Sequence, residues 1–252
     1  MITVNNIIYQ LPTQRMTIYQ FLESINIIIP CFCFHNKLAI AGNCRICLVE
    51  VNGGISASCA MPLLDKMNIY TDSERIIHAR ENVLEFLLVN HPLDCPVCDQ
   101  GGECDLQDIS KTFGLDRGRT YFNKRSVDNL NCFGPFIKTI MTRCIHCTRC
   151  VRFLNEYCGI TDLGVIGRGN GMEIGNFVEH LIQHELTGNI IDLCPVGALT
   201  SMPYAFSARP WELKSIESVD ILDSIAGSIR VDVINNNIAR VLPLTCDNLN
   251  EE

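Results

Sequence analysis

Fifteen cysteines in a chain of 252 residues set the chemistry to consider first, and most of them fall into three groups. Cys33, Cys44, Cys47 and Cys59 are separated by ten, two and eleven residues. Cys95, Cys98 and Cys104 follow His91 in HPLDCPVCDQGGEC. Cys144, Cys147 and Cys150 recur at intervals of three and are answered much later by Cys194 in a Cys-Pro-Val-Gly segment. Disulfides between close neighbours such as Cys95 and Cys98 would close loops too small to constrain the unfolded chain. The count is odd and the density is below that of a small disulfide scaffold. Thiolate ligation of metal is therefore the stronger reading.

The first group supplies four thiolates from one loop and a later anchor, the requirement of a two-iron cluster, and Gly42-Asn43 gives the backbone freedom to wrap inorganic sulfide. A structural zinc site is the rival, but it usually takes two close pairs, and only Cys44/Cys47 is one. Cys31 competes with Cys33 for the first ligand position because extended alternation places both on one face; Cys33 is preferred. In the second group Pro92, Pro96, Gly101 and Gly102 favour a loop whose donors point inward. It offers only three thiols, so His91 is the nearest candidate for a fourth ligand. Imidazole in place of thiolate makes a cluster less negative, which raises its reduction potential. In the third group three cysteines wrap corners of a cubane and the remote Cys-Pro closes it, a pattern zinc rarely uses. Arg143, His146, Arg149 and Arg152 interleave with these ligands; they either offset an anionic cluster or form a solvated basic face. Cys132, Cys158 and Cys246 stand alone and read as small buried hydrophobes. Gly167 to Gly171 reads as a loop, since no strand-then-helix context supports a phosphate cradle.

Several elements must position these donors. Ile2 to Val4 and Ile7 to Tyr9 read as a hairpin around Asn5-Asn6, followed by a helix capped by Thr17 that runs to Ile25. Residues 47–51 and 55–59 form a second hairpin around Asn52-Gly53-Gly54. The result is a compact α+β module. From Ser73 a helix carries Ile76, Ile77, Val83, Leu84, Leu87 and Leu88 on one side and ends before Pro92. A short polar helix follows the second cysteine loop, then a charged stretch from Asp116 to Asn131. A helix through Val151, Phe153, Leu154 and Tyr157 stops at Gly159. Ile229, Val231 and Val233 alternate with Arg230 and Asp232, turn at Asn235 to Asn237 and resume at Ile238, a hairpin whose apolar face should pack on further protein.

With 20 basic against 28 acidic residues, the net charge of −8 argues against nucleic-acid binding. The longest strongly apolar stretch, near Ile25 to Phe34, is interrupted by Asn26 and Pro30 and falls short of a membrane span. The first residues lack the layout of a signal or transit peptide, so the protein is expected to work where it is made.

Long motifs carry a resemblance across nearly the whole chain. AGNCRICLVE at 41–50, NHPLDCPVCDQGGECDLQD at 90–108, TRCIHCTRC at 142–150, NIIDLCPVGALT at 189–200 and ARPWE at 208–212 resemble the large (75 kDa-type) iron–sulfur subunits of respiratory complex I. The resemblance implies an α+β chain. Its parts are a ubiquitin-like (β-grasp) two-iron ferredoxin domain at 1–77, a His/Cys₃ four-iron domain at 78–117, a Cys₄ four-iron ferredoxin-like domain at 118–216, and a β segment at 217–252. It implies one [2Fe-2S] cluster on Cys33, Cys44, Cys47 and Cys59. Two [4Fe-4S] clusters follow, on His91, Cys95, Cys98 and Cys104, and on Cys144, Cys147, Cys150 and Cys194. Residues 217–245 contain no cysteine, so no fourth cluster is expected there. The family continues into a molybdopterin-oxidoreductase-like domain; the expectation is a short form that lacks it, and a separately encoded large domain is then a candidate partner. The implied role is electron relay in NADH:ubiquinone oxidoreductase, with no catalytic residue in the chain itself. The implied partners are the flavin-bearing NADH-binding subunit and other peripheral-arm subunits. The expected location is the matrix side of the mitochondrial inner membrane or, alternatively, the cytoplasmic face of a bacterial membrane, with attachment only through the complex. The alternatives are the iron–sulfur part of an NAD-linked hydrogenase or formate dehydrogenase, and a zinc-stabilised scaffold.

Overall fold

A computed structural model describes residues 1–127, 133–176, 182–222, 224 and 226–244. Cys132 and Cys246 lie outside the described residues.

Hairpins with asparagine turns recur. β1 (Ile2–Val4) and β2 (Ile7–Tyr9) meet across Asn5 and Asn6, both at positive φ (47° and 67°). Left-handed backbone at both central positions is the type I′ requirement, which asparagine tolerates better than most residues. Thr17 then starts α1 (Ile18–Ser24) with a reciprocal cap: the Gln20 amide donates to Thr17 Oγ1 at 3.2 Å, and the Thr17 amide donates to Gln20 Oε1 at 3.0 Å. The helix buries Ile18, Phe21 and Leu22. β3 (Leu48–Val51) and β4 (Gly54–Ala57) turn at Asn52 and Gly53, again both at positive φ. β5 (Asn68–Tyr70) slots between β1, with which it runs parallel, and β3. The sheet order β2-β1-β5-β3-β4, with a parallel pair inside and the α1 side chains packed in its core, is the β-grasp arrangement.

α2 (Glu74–Asn90) leaves this module and buries a narrower stripe than the sequence implies: Ile76, Arg80 and Leu84, four residues apart. Ile77, Phe86 and Leu88 are exposed, so the apolar side expected around Ile77 and Leu88 is not all core. α3 (Asp105–Phe113) packs back against α2.

β6 (Ile137–Thr139) pairs with the late strand β9 (Leu199–Ser201), so the intervening chain forms one closed excursion. Inside it lie α4 (Arg149–Glu156), the hairpin of β7 (Leu163–Ile166) and β8 (Glu173–Asn176), and α5 (Ile190–Leu193). The glycines at 167–171 make the connection of that hairpin, as a loop should.

The last sheet has three strands, β10 (Lys214–Val219), β11 (Ser228–Ile234) and β12 (Asn237–Pro243), one more than the expected hairpin. Its buried residue is Asp232, on the polar face, whereas Ile229, Val231 and Val233 are half-buried. Asp232 accepts from Ser215 Oγ at 2.6 Å and from Arg240 Nε at 2.7 Å. The same guanidinium reaches Glu103, in the second cysteine loop, with both terminal nitrogens at 2.7 and 2.8 Å. Charge therefore docks this sheet onto the cysteine loop. Burial acts against the Asp232 carboxylate, but the Ser215 and Arg240 hydrogen bonds prevail and hold its pKa below the usual range.

Asp232→Ala is expected to destabilise the sheet by roughly 1–3 kcal/mol, since it leaves part of the Arg240 guanidinium unpaired. The wild-type advantage should be full above pH ~4 and fade as the pH falls through the lower folded-state pKa. Thermal melts of both proteins across that range check it; equal stability at neutral pH would show that this carboxylate does not clamp the sheet.

Candidate metal centres

The first group is assembled by the β3–β4 hairpin. Cys47 immediately precedes β3 and Cys59 lies two residues beyond β4, and the Ser58 amide and hydroxyl both donate to the Cys47 carbonyl, at 3.0 and 2.7 Å. Cys33 and Cys44 come from the irregular segment between α1 and β3, and the Cys33 amide donates to Cys44 Sγ at 3.4 Å. All four are buried. Arg45, between Cys44 and Cys47, takes a positive φ of 58°, the turn that aims successive amides at one concavity. Cys31 is half-buried and packs against the core that contains Cys47 and Cys59. Donation from Cys31, then from Cys59, holds the Cys47 thiol down to about 3. The buried Arg80 guanidinium donates twice to the Leu48 carbonyl beside Cys47, at 3.1 and 2.7 Å.

The second group joins two helix ends. His91 follows the last residue of α2, and Cys104 precedes the first turn of α3, where the Gln107 and Leu106 amides donate to its sulfur. Cys95 opens a 3-10 turn over Cys95–Val97. His91, Cys95, Cys98 and Cys104 line one cavity of about 130 Å³, together with Arg143 and Gly197. His91 Nδ1 is buried without a hydrogen-bond partner. Burial, then the Lys124 and Arg143 charges, pushes the His91 pKa down to about 4. At neutral pH the ring is therefore uncharged, the state in which imidazole binds metal. An orphaned nitrogen and three thiols around a cavity fit a cluster.

The third group wraps two tight turns into a helix. His146 and Thr148 take positive φ of 55° and 61°, and the His146 amide donates to Cys144 Sγ at 3.3 Å. Cys150 lies in the first turn of α4, and Cys194 directly follows α5. The four thiols line a narrow cavity of about 20 Å³. Burial pushes the Cys144 thiol up to about 12 and the Cys104 thiol up to about 11. Ligand binding at these sulfurs must displace protons, so affinity rises with pH.

Among the described residues, no group of three His, Cys, Asp or Glu side chains is arranged to hold a single metal ion. The donors of the second group stand around a cavity instead, with room that suits a polynuclear core whose sulfides separate the irons; the space between the third group's sulfurs is much narrower.

The interleaved basic residues are not a solvated face. Arg143 is buried; its Nε donates to Asp94 at 3.1 Å and its Nη1 to the Gly197 carbonyl at 3.5 Å. Arg149 donates to the Phe34 carbonyl at 2.7 Å. Arg152 donates from one nitrogen to the carbonyls of Cys33 and Cys147, members of different groups. Asn43 donates to the His146 carbonyl at 3.0 Å, a second tie between those groups. The third group meets the second through Cys104 Sγ, 3.8 Å from the Pro195 carbonyl, and through Gly197, where a Cβ would lie 2.2 Å from Cys98 Sγ. The third group thus touches both others. Spacing alone did not reveal Gly197 or Arg80, because both act across the fold. Cys158 is half-buried against the core that contains Phe153 and Leu154, as a small hydrophobe would be.

Four family models tile the chain. A 2Fe-2S iron-sulfur cluster binding domain matches residues 1–74, and an NADH-ubiquinone oxidoreductase-G iron-sulfur binding region matches 80–119. A ferredoxin-like domain of NADH-quinone oxidoreductase subunit 3 matches 134–200, and an NDSU1/NuoG-like 4Fe-4S domain of NADH-ubiquinone oxidoreductase matches 213–252. That last stretch contains one cysteine, Cys246. The NADH-ubiquinone oxidoreductase 75 kDa subunit of Reclinomonas americana is 57% identical over 94% of this chain and 34% of its own length. That of Acanthamoeba castellanii is 62% identical over 85% of this chain and 32% of its own length. The mitochondrial NADH dehydrogenase [ubiquinone] iron-sulfur protein 1 of Solanum tuberosum is 57% identical over 94% and 32%. The chain thus spans about a third of the length of these relatives. A chain of an NAD+-reducing [NiFe]-hydrogenase superposes with a TM-score of 0.69 at 27% identity, over 82% of this chain and 89% of the hydrogenase chain.

Two substitutions probe the second group. His91→Ala should lose that cluster's EPR signal, whereas His91→Cys should keep it at a lower potential because a negative charge is added. Gly197→Ala should weaken the same signal roughly tenfold or more by displacing Cys98. An unchanged signal in both His91→Ala and Gly197→Ala would remove His91 and Cys98 from the ligand set.

Proposed function

The chain belongs to the iron–sulfur subunit family of NADH–ubiquinone oxidoreductase, and from that premise we propose that it is an electron-relay segment of such an enzyme. In this reading Cys33, Cys44, Cys47 and Cys59 hold one [2Fe-2S] cluster. His91, Cys95, Cys98 and Cys104 hold a [4Fe-4S] cluster, and Cys144, Cys147, Cys150 and Cys194 hold another. The stretch after residue 213 has too few cysteines for a further one. The bound clusters supply one-electron oxidation and reduction.

The observation that carries the reading is a shared core. Cys33 and Cys44 of the first group, Cys104 of the second and Cys147 of the third pack in one buried cluster with Ile46, Leu84 and Val196. The third group touches both others. A chain that only needed metals for stability has no reason to bring three donor sets together, whereas relay requires closely spaced centres shielded from water. The role of this chain's residues is to hold the ligands, exclude solvent and aim amides and guanidinium groups at the sulfurs.

The division at residues 77, 117 and 216 remains the proposed domain plan. The partners would be a flavin-bearing NADH-binding subunit and other subunits of a peripheral arm. Among the described residues no helix is long and apolar enough to cross a membrane; the proposal places membrane attachment in those partners. The names of the relatives from potato and Candida albicans include "mitochondrial" and support a mitochondrial site, on the matrix side of the inner membrane in this reading.

The hydrogenase chain of similar size keeps a second reading alive, in which the same relay serves an NAD-linked hydrogenase. Mass-spectrometric identification of copurifying chains separates the two. Quinone-reductase subunits are expected, and a nickel-bearing hydrogenase subunit would favour the second reading.

The anaerobically purified protein should contain roughly ten irons per chain, from one binuclear and two tetranuclear centres. An iron content near six with one zinc would mean that one tetranuclear assignment is wrong.

A further inference from the structure

The motif ARPWE at 208–212 contains no cysteine or histidine, yet in the fold it lies along the second cysteine loop. The Phe206 amide donates to Asp99 Oδ1 at 2.8 Å, and the Tyr204 hydroxyl donates to the Ala208 carbonyl at 3.0 Å, which shapes the approach to the motif. The Arg209 guanidinium then donates from Nη2 to the Pro96 carbonyl and from Nη1 to the Cys98 carbonyl. The Arg209 amide donates to Glu212 Oε2 at 2.8 Å, closing the turn that carries the arginine. Two glycines let the chains come this close. A Cβ at Gly101 would lie 2.9 Å from the Cys95 carbonyl oxygen and 3.0 Å from Arg209 Nη1, and one at Gly102 would lie 2.8 Å from the Trp211 ring. The loop itself has little regular structure to hold its sulfurs: from Cys95 to Cys104 it contains one 3-10 turn, Cys95–Val97.

We propose that Arg209 is a positioning residue for the second centre. Its planar fork spans two carbonyls of the loop, one of them belonging to the ligand Cys98, a geometry that a lysine ammonium does not reproduce. Held in this way, Cys95 and Cys98 keep their places on the cavity that His91 and Cys104 also line. The guanidinium also sets a positive charge beside a ligand residue, and a cation near a cluster favours its reduced, more negative state.

The inference rests on the assignment of the second group to a four-iron cluster, and the test separates the two claims. Arg209→Gln and Arg209→Lys are made in the full chain and purified anaerobically with the subunits that accompany it. The second centre is identified as the four-iron signal that His91→Ala removes, and its midpoint potential and its rate of iron loss to a chelator are measured. At the wild-type midpoint, the Arg209→Gln centre should be roughly tenfold more oxidised than reduced, a downward shift of about 59 mV for a one-electron centre. Arg209→Lys keeps the charge and should stay near the wild-type potential, but should lose iron roughly tenfold faster because the fork is gone. The signals of the other two centres should match wild type in both variants. An unshifted potential in Arg209→Gln overturns the proposal and leaves the cluster assignment standing. So does a loss spread equally over all three signals, which would make Arg209 a residue of the whole fold rather than of this centre. If Arg209→Gln loses the second signal alone, its recovery in Arg209→Lys supports the proposal and its absence there overturns it. A wild-type protein in which His91→Ala removes no signal overturns the cluster assignment as well.

Discussion

The constraint on which the structure depends is that sulfur must be both buried and anionic. A thiol taken out of water resists ionisation, as at Cys104 and Cys144, yet only the thiolate binds iron. The protein meets this with amides and guanidinium groups set beside the sulfurs. Left-handed residues at Arg45, His146 and Thr148 fold the backbone so that amides face the sulfurs. The first turn of α3 does the same for Cys104. Arg80, Arg143 and Arg152 add positive charge close to the sites without occupying a ligand position.

These groups also bind the modules together. Arg152 links Cys33 of the first group to Cys147 of the third, and Gly197 and Arg143 bring the third against the second. The C-terminal sheet joins through Arg240, which bridges Asp232 and Glu103 and lies over the Tyr204 ring at 4.7 Å. The sequence can be divided into successive domains, but the described residues form one set of contacts centred on the sulfurs.

What could be read from sequence was local. Thiol spacing, the Thr17 cap and the asparagine turns depend on neighbours a few residues apart, and they recur in the structure. The three-residue β5 carries too little alternation to be seen, and its place beside β1 depends on a partner more than sixty residues away. The exposed β10 is recognisable only from its pairing with β11. In the last sheet alternation identifies two faces, but it does not show that a carboxylate with an arginine partner is buried on the polar one. His91 was legible as a donor only because three thiols wanted a fourth, and its orphaned nitrogen belongs to the fold alone. Whether the arginines near the third group served the sulfurs or the solvent was likewise open until their acceptors were in view.

The central claim is that three donor groups hold three iron–sulfur centres in one core. Anomalous scattering, measured at the iron and zinc absorption edges from crystals of the complex that contains this chain, tests it most directly. The account predicts iron peaks, and no zinc, within each of the three donor groups, with the centre at Cys144, Cys147, Cys150 and Cys194 between the other two. Zinc at any of the groups, or iron at fewer than all of them in fully loaded protein, would contradict it.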